Sequence, residues 1–120
     1  MTLCVTIHDE ALSGEQTGSI RLGLLSSTIT LRELIRRRVF EGVQEYHAAP
    51  SAAPNGSKPI HTTKRYVDWE AQYSRALSAF ARNGFFVLVG DRQVESLDEE
   101  LTLRVDTDVS FVKLVPLVGG

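Results

Sequence analysis

The chain has 120 residues, of which 42% are hydrophobic and 23% charged, a composition typical of one globular domain. The formal net charge of -2 gives no overall positive field, so we expect neither nucleic acid nor an anionic membrane as a partner. A single cysteine, Cys4, excludes an internal disulfide, and no apolar run approaches the roughly 20 residues of a membrane-spanning helix. No secretory signal is visible at the start, and we expect a single cytoplasmic domain over residues 1–120.

The first third of the chain predicts two strands and a helix. Residues 2–8 and 20–24 alternate between apolar and polar side chains and predict half-buried strands, joined by a loop over 9–18. Thr30 and Glu33 fit a capping box, which predicts the start of a helix. The apolar residues that follow have the spacing of a buried helix face, and they are Leu31, Leu34, Ile35, Val39 and Val43. The arginines of this helix predict a basic face, which we expect to be solvated rather than docked on an acidic enzyme, and they are Arg32, Arg36, Arg37 and Arg38.

The middle of the chain, about residues 44–83, predicts an insertion of a loop and a second helix. Residues 48–59 contain three of the four prolines and predict a mobile loop. A helix over 66–83 is predicted by large apolar side chains at helical spacing, namely Tyr66, Trp69, Tyr73, Leu77 and Phe80. Asn83 and Gly84 would form its carboxyl-terminal cap. We expect its aromatic side chains to pack on the domain, with a partner-binding stripe as the alternative.

The last third of the chain predicts three more strands. Residues 85–89 form a continuous apolar run that is typical of a central strand, and 93–95 predict a short returning strand after a turn. Residues 96–101 predict a single helical turn, and 109–117 predict the last strand. The order of elements therefore predicts an α+β fold, with a helix across one face of a small sheet.

The sequence finishes on Gly119 and Gly120, directly after the last predicted strand. Glycine has the least hindered backbone of all residues and adopts φ values that are closed to the others. A terminal pair of glycines can therefore carry a carboxylate into a narrow channel of another protein. The alternative is a frayed tail without a role.

The carboxyl-terminal third resembles the ubiquitin-like β-grasp family. The stretch from Val89 to Glu95, the leucines Leu97 and Leu101, and the last strand into Gly119–Gly120 look like the corresponding part of ubiquitin. The stretch 106–120, with Pro116 shortly before the two glycines, is equally similar to sulfur carriers of the molybdopterin-synthase small subunit and thiazole-pathway type. The resemblance implies a mixed sheet of four to five strands with a helix across one face, the second helix as an insertion, and a flexible tail at 118–120.

The resemblance also implies a carrier or modifier rather than an enzyme. Such proteins present their terminal carboxylate to an activating enzyme, which uses ATP to form an acyl adenylate, so the chain itself needs no cofactor. In a modifier, the acyl group of Gly120 passes through a thioester to a target amine, with conjugating and deconjugating enzymes as further partners. In a sulfur carrier, the same group becomes a thiocarboxylate for molybdopterin or related cofactor synthesis. We favour the prokaryotic modifier, with the sulfur carrier and a noncovalent interaction module as alternatives.

Three leucines are candidates for partner binding, and no residue is a candidate for catalysis or metal binding. Leu88 and Leu114 lie on neighbouring predicted strands and could form an apolar patch, with core packing as the alternative, and Leu117 is a contact candidate just before the tail. The histidines lie on separate predicted elements without ligand spacing, and they are His8, His47 and His61. Cys4 and His8 would be about 13 Å apart along one strand, too far for a nucleophile and its base.

Overall fold

A computed structural model describes residues 2–48 and 66–113 of the chain. Within these two ranges it contains seven strands and two helices. In chain order they are β1 (Leu3–Ala11), β2 (Gln16–Leu24), β3 (Thr28–Thr30), α1 (Leu31–Ala48), α2 (Trp69–Ala81), β4 (Phe85–Val89), β5 (Arg92–Val94), β6 (Glu100–Thr102) and β7 (Val109–Lys113). Neither helix is both long enough and apolar enough to cross a membrane.

The main sheet has five strands in the order β2-β1-β7-β4-β5. The last strand, β7, lies in the middle of this sheet, parallel to β1 and antiparallel to β4. Two short strands, β3 and β6, form a separate antiparallel pair. A mixed sheet with a helix packed across it confirms the predicted α+β fold class and is compatible with a β-grasp-like fold.

The core lies between α1 and one face of the sheet, which we call the inner face. Every second residue of the strands points to it, so that Val5 and Ile7 on β1 and Val109 and Phe111 on β7 have no exposed surface. The predicted apolar face of α1 covers them and is buried in full. Each such aliphatic or aromatic side chain contributes roughly 1.5–3 kcal/mol through the water it excludes.

The start of α1 is held by its predicted cap and by a distant turn. The Oγ1 of Thr30 accepts a hydrogen bond from the Glu33 N–H at 3.2 Å, as the capping box predicts. The N–H groups of Leu31 and Arg32 donate to the carbonyl oxygens of Glu99 and Leu97, at 3.0 and 2.9 Å. These bonds satisfy donors that have no partner within the helix, and they fix α1 to the segment before β6.

The second helix packs on α1 through aromatic side chains, as predicted, but it spans Trp69–Ala81 rather than 66–83, and Tyr66 precedes it and is 79% exposed. The Trp69 ring meets the edge of Phe40 with centroids 5.3 Å apart, and the Arg36 guanidinium lies 5.3 Å from the Trp69 ring centroid. At the other end of α2, Phe80 contacts the core ring of Phe85 at 5.6 Å. Asn83 then adopts a φ of 60°, which fits the predicted cap at 83–84.

Several predicted boundaries are wrong, and pairing with distant strands explains the differences. Residues 9–11 and 16–18 belong to β1 and β2 rather than to a loop, because the hairpin pairing continues past Ile7 to Glu10. The predicted helical turn at 96–101 is a turn followed by β6, whose Leu101 pairs with Ile29 of β3. The predicted loop at 48–59 lies outside the described residues except for Ala48, which ends α1.

Candidate interaction face and charged cluster

The face of the main sheet opposite α1, which we call the outer face, carries two rows of half-buried side chains. One row joins Leu88 of β4, Ser110 of β7 and His8 of β1, which are neighbours in the strand register. The row beside it joins Phe86 of β4, Val112 of β7 and Glu10 of β1. Because these residues alternate with fully buried ones, their side chains point away from α1. The outer face therefore presents a small apolar surface centred on β4 and β7.

Of the predicted partner-binding residues, only Leu88 is described. Leu88 is half-buried on the outer face and is not part of the core, so a partner could contact its side chain. Leu114, Leu117 and the Gly119–Gly120 pair lie outside the described residues. The remaining contact residues of the outer face, Phe86 and Val112, were missed, although the alternation within each strand places them beside Leu88.

The described part of the chain ends at Lys113, the last residue of β7. Lys113 pairs with Ala11 of β1 on one side and with Phe85 of β4 on the other, so the strand is held on both edges up to this residue. The turn of the β1–β2 hairpin lies next to this point and carries Leu12, whose side chain is 67% exposed. The last described residue of the chain therefore lies on a central strand of the sheet.

A cluster of three charged side chains lies beside the last described residues of β7, and we call it the Asp9 cluster. Oδ2 of Asp9 on β1 accepts from Nη2 of Arg38 on α1 at 2.5 Å, and it lies 3.3 Å from Nζ of Lys113 on β7. The side chains of Asp9 and Arg38 are only 9% and 10% exposed, and that of Lys113 is 21% exposed. Opposite charges at such burial interact more strongly than surface pairs, because little water screens them. The cluster ties three separate elements together.

The local structure of β1 and β2 around Asp9 has three features. A β-bulge follows Asp9 in its pairing with β2, and the Thr17 hydroxyl donates to the Asp9 backbone oxygen at 3.3 Å. Gly18 lies directly opposite Asp9, and a Cβ there would stand 3.8 Å from Asp9 Oδ2. Asp9 and Lys113 both occupy inner-face positions, two residues after Ile7 and Phe111 respectively.

The Asp9 cluster corrects the predicted basic face of α1. Arg38 is 8% exposed and belongs to the core side of the helix, so it is no part of a solvated patch. Arg36 lies over Trp69, while Arg32 and Arg37 form exposed or half-exposed ion pairs with Asp98 and Glu41. A signal for the cluster was present in the sequence, because Asp9 and Lys113 continue the alternation of the apolar residues that precede them.

Within residues 2–48 and 66–113, no group of three or more His, Cys, Asp or Glu side chains is placed to hold a metal ion. Cys4 is an exposed free thiol on β1, four residues before His8. The Nδ1 atom of His8 is buried and has no hydrogen-bond partner among the residues that the structure describes. These residues form no recognisable catalytic pair.

Comparison with known proteins adds no family name to this geometry. No protein-family model matches the chain, and neither the curated proteins nor the solved structures include a significant match.

Proposed function

We propose that the chain is a ubiquitin-like protein modifier. An activating enzyme adenylates the carboxylate of Gly120, and the acyl group then passes through a thioester to an amine of a target protein. The observation that carries this proposal is the position of β7, which runs through the centre of a β-grasp-like sheet and leads directly into the segment with Gly119 and Gly120.

The proposed reaction needs groups from two proteins, the activating enzyme and this chain. A carboxylate reacts poorly with nucleophiles because attack must expel an oxide, whereas an adenylate provides a good leaving group. The activating enzyme binds ATP and supplies the thiol, and this chain supplies the unhindered acyl group of Gly120. Glycine at both terminal positions leaves room for the backbone in a narrow channel.

The outer face supports the same proposal, because an activating enzyme must recognise the folded domain as well as the tail. Leu88, Phe86 and Val112 form an apolar surface on β4 and β7. Of these two strands, β7 is the one that precedes Gly119 and Gly120 in the sequence. A partner that binds this surface would hold the domain and receive its carboxyl-terminal segment at the same time. We therefore assign the outer face to recognition and Gly120 to reaction.

Replacing Leu88 with alanine is expected to raise the KM for the activating enzyme about tenfold, because a central apolar contact typically contributes 1–2 kcal/mol to binding. The measurement is ATP–pyrophosphate exchange as a function of the concentration of this protein. Leu25→Ala is the matched control, since that leucine is 91% exposed in the loop after β2. An equal effect of both substitutions would contradict the assignment of the outer face.

Sulfur carriage is the second candidate function, and the sequence 116–120 supports it. Pro116 followed by two apolar residues and two glycines is similar to the end of the molybdopterin-synthase small subunit. Both candidates share the adenylate of Gly120 and differ in what attacks it, a cysteine thiol in one case and a sulfur donor in the other. A noncovalent interaction module would need no adenylate at all.

ATP–pyrophosphate exchange tests the covalent candidates together. The protein is incubated with labelled pyrophosphate, ATP and the ubiquitin-activating-type enzyme of its own source. Exchange that depends on this chain supports adenylation of Gly120. A binding complex without exchange would support the noncovalent module and contradict both covalent candidates.

A further inference from the structure

We propose that His47 is a pH-sensitive latch, which holds Val67 against α1 while its imidazole is neutral and releases Val67 when the imidazole takes up a proton. This inference goes beyond the proposed function and does not depend on it. The latch lies where α1 is joined to the residues before α2, on the opposite side of the sheet from the outer face.

The latch consists of one hydrogen bond between the backbone and a side chain. The N–H of Val67 donates to Nε2 of His47 at 3.0 Å. His47 belongs to α1, whereas Val67 lies two residues before Trp69, the first residue of α2. The bond therefore joins positions twenty apart in the sequence and fixes the residues before α2 to α1.

This bond requires one protonation state of the ring. A backbone N–H can only donate, so Nε2 of His47 must offer a lone pair, and the one ring proton of the neutral imidazole must be on Nδ1. An imidazolium carries a proton on both nitrogens and has no acceptor left. The latched form therefore binds one proton fewer than the open form. It is favoured as the pH rises and lost as the pH falls through the range of about 5 to 8, in which histidines change charge.

The ring contacts of His47 do not remove this dependence on pH. The imidazole stacks on Tyr66, with centroids 5.3 Å and planes 12° apart, and it meets the Tyr46 ring at 5.6 Å. Phenols are uncharged in this pH range, and an aromatic face also attracts a cation. Stacking is therefore compatible with both charge states of the imidazole, and the pH dependence arises from the Val67 bond.

The charged residues that adjoin the latch in sequence are carboxylates. Glu45 lies on α1, and Asp68 follows Val67 and caps α2 by accepting a hydrogen bond from the Glu70 N–H at 3.1 Å. None of the ion pairs within residues 2–48 and 66–113 includes His47. Ordinary carboxylates keep their charge between about pH 5 and 8, so His47 is the group of the latch that changes charge there.

Release of Val67 is expected to loosen the residues before α2 and to leave the helix in place. Val67 is half-buried against the core, and its backbone is what the latch holds. The edge contact of Trp69 with Phe40 and that of Phe80 with Phe85 involve no titratable group. These contacts keep both ends of α2 packed when the latch opens.

The test is amide hydrogen exchange followed by NMR at about pH 8 and about pH 5, with each rate compared with that of an unfolded chain at the same pH. His47→Gln is the main variant, because its amide oxygen can accept from the Val67 N–H and does not titrate. His8→Gln is the matched control, since it removes a histidine from β1 and leaves the latch intact. The amide of Val87, on a strand paired on both edges, reports on the core.

We expect the protection of the Val67 amide to fall about tenfold from the higher to the lower pH, which corresponds to the loss of one hydrogen bond. The same fall should occur in His8→Gln, and the protection of Val87 should not change. In His47→Gln the protection of Val67 should be equal at both pH values. Equal protection at both pH values in the unaltered protein would overturn the latch, and so would an undiminished fall in His47→Gln.

The imidazole nitrogens provide a second measurement, which needs no variant. Two-bond proton–nitrogen correlation spectra of the unaltered protein should identify Nε2 of His47 as the nitrogen without a proton at about pH 8. The protonation of Nε2 should follow the same curve as the chemical shift of the Val67 amide. A proton on Nε2 at the higher pH would overturn the latch, whether or not His47→Gln folds.

Discussion

Deleting Gly119 and Gly120 is expected to abolish ATP–pyrophosphate exchange, with a loss of at least about 10³-fold. Two extended residues span about 7 Å, so the deletion withdraws the carboxylate by that distance from the activating site. Displacement of a reacting group by about 1 Å can already cost about 10²-fold in rate. The new terminal residue would also be Val118, whose branched side chain crowds the reacting carbonyl.

Two controls separate this effect from a loss of folding. The deletion removes nothing from residues 2–48 and 66–113, which contain the described core, so its Tm should match that of the full chain. Gly120→Ala keeps the length of the chain and adds one methyl group, and it should reduce exchange less than the deletion does. Retention of full activity by the deleted protein would contradict both covalent functions.

The second large effect is expected for Asp9→Ala, which should lower the free energy of unfolding by about 3–5 kcal/mol. The substitution leaves the Arg38 guanidinium buried without its counterion, and an uncompensated buried charge is expensive. Lys113 loses its contact with the same carboxylate. Urea denaturation followed by circular dichroism measures the difference, which is a large part of the 5–15 kcal/mol typical of a domain.

Glu41→Ala is the matched control for the Asp9 cluster, since its pair with Arg37 lies in the middle of α1 and is 33% exposed on both sides. Its loss should cost about 0.5 kcal/mol or less. If Asp9→Ala does not fold, the double variant Asp9→Leu with Arg38→Met should recover folding, because apolar residues of similar volume often replace a buried ion pair without loss. A cost below about 1 kcal/mol for Asp9→Ala would show that burial of the cluster adds nothing to an ordinary surface pair.

The sequence predicts the parts of the fold that depend on interactions between residues close together in the chain. The alternation of Val5 with Ile7 and the capping residue Thr30 depend on neighbours a few positions away, and the structure confirms them. Strands β3 and β6 have three residues each, too few for a period to be visible, and they exist because they pair with each other. That pairing joins residues about seventy positions apart and is set by the tertiary fold.

The candidate site likewise depends on contacts that the tertiary fold sets and the local sequence does not show. The continuous apolar run of β4 does not show which of its residues face the core, and the structure places Leu88 on the outer face. The Asp9 cluster joins three elements, and only the alternation that Asp9 and Lys113 continue points to it in the sequence. The loop composition of residues 9–18 predicts a loop at Asp9, and the neighbouring arginines of α1 predict a solvated face at Arg38. The packing of α1 on the sheet brings Arg38 to Asp9, and the parallel pairing of β1 with β7 brings Lys113 to it.

The mass of the intact protein after reaction tests the central claim most directly. The protein is isolated from its own cells, its carboxyl-terminal residue is identified, and it is incubated with ATP, the activating enzyme and a cell extract. A modifier predicts a thioester to the enzyme and amide-linked products in which Gly120 is joined to a target amine. A gain of one sulfur in place of one oxygen at Gly120 would contradict the modifier and establish the carrier. An unchanged mass with every activating enzyme of the source organism would contradict both.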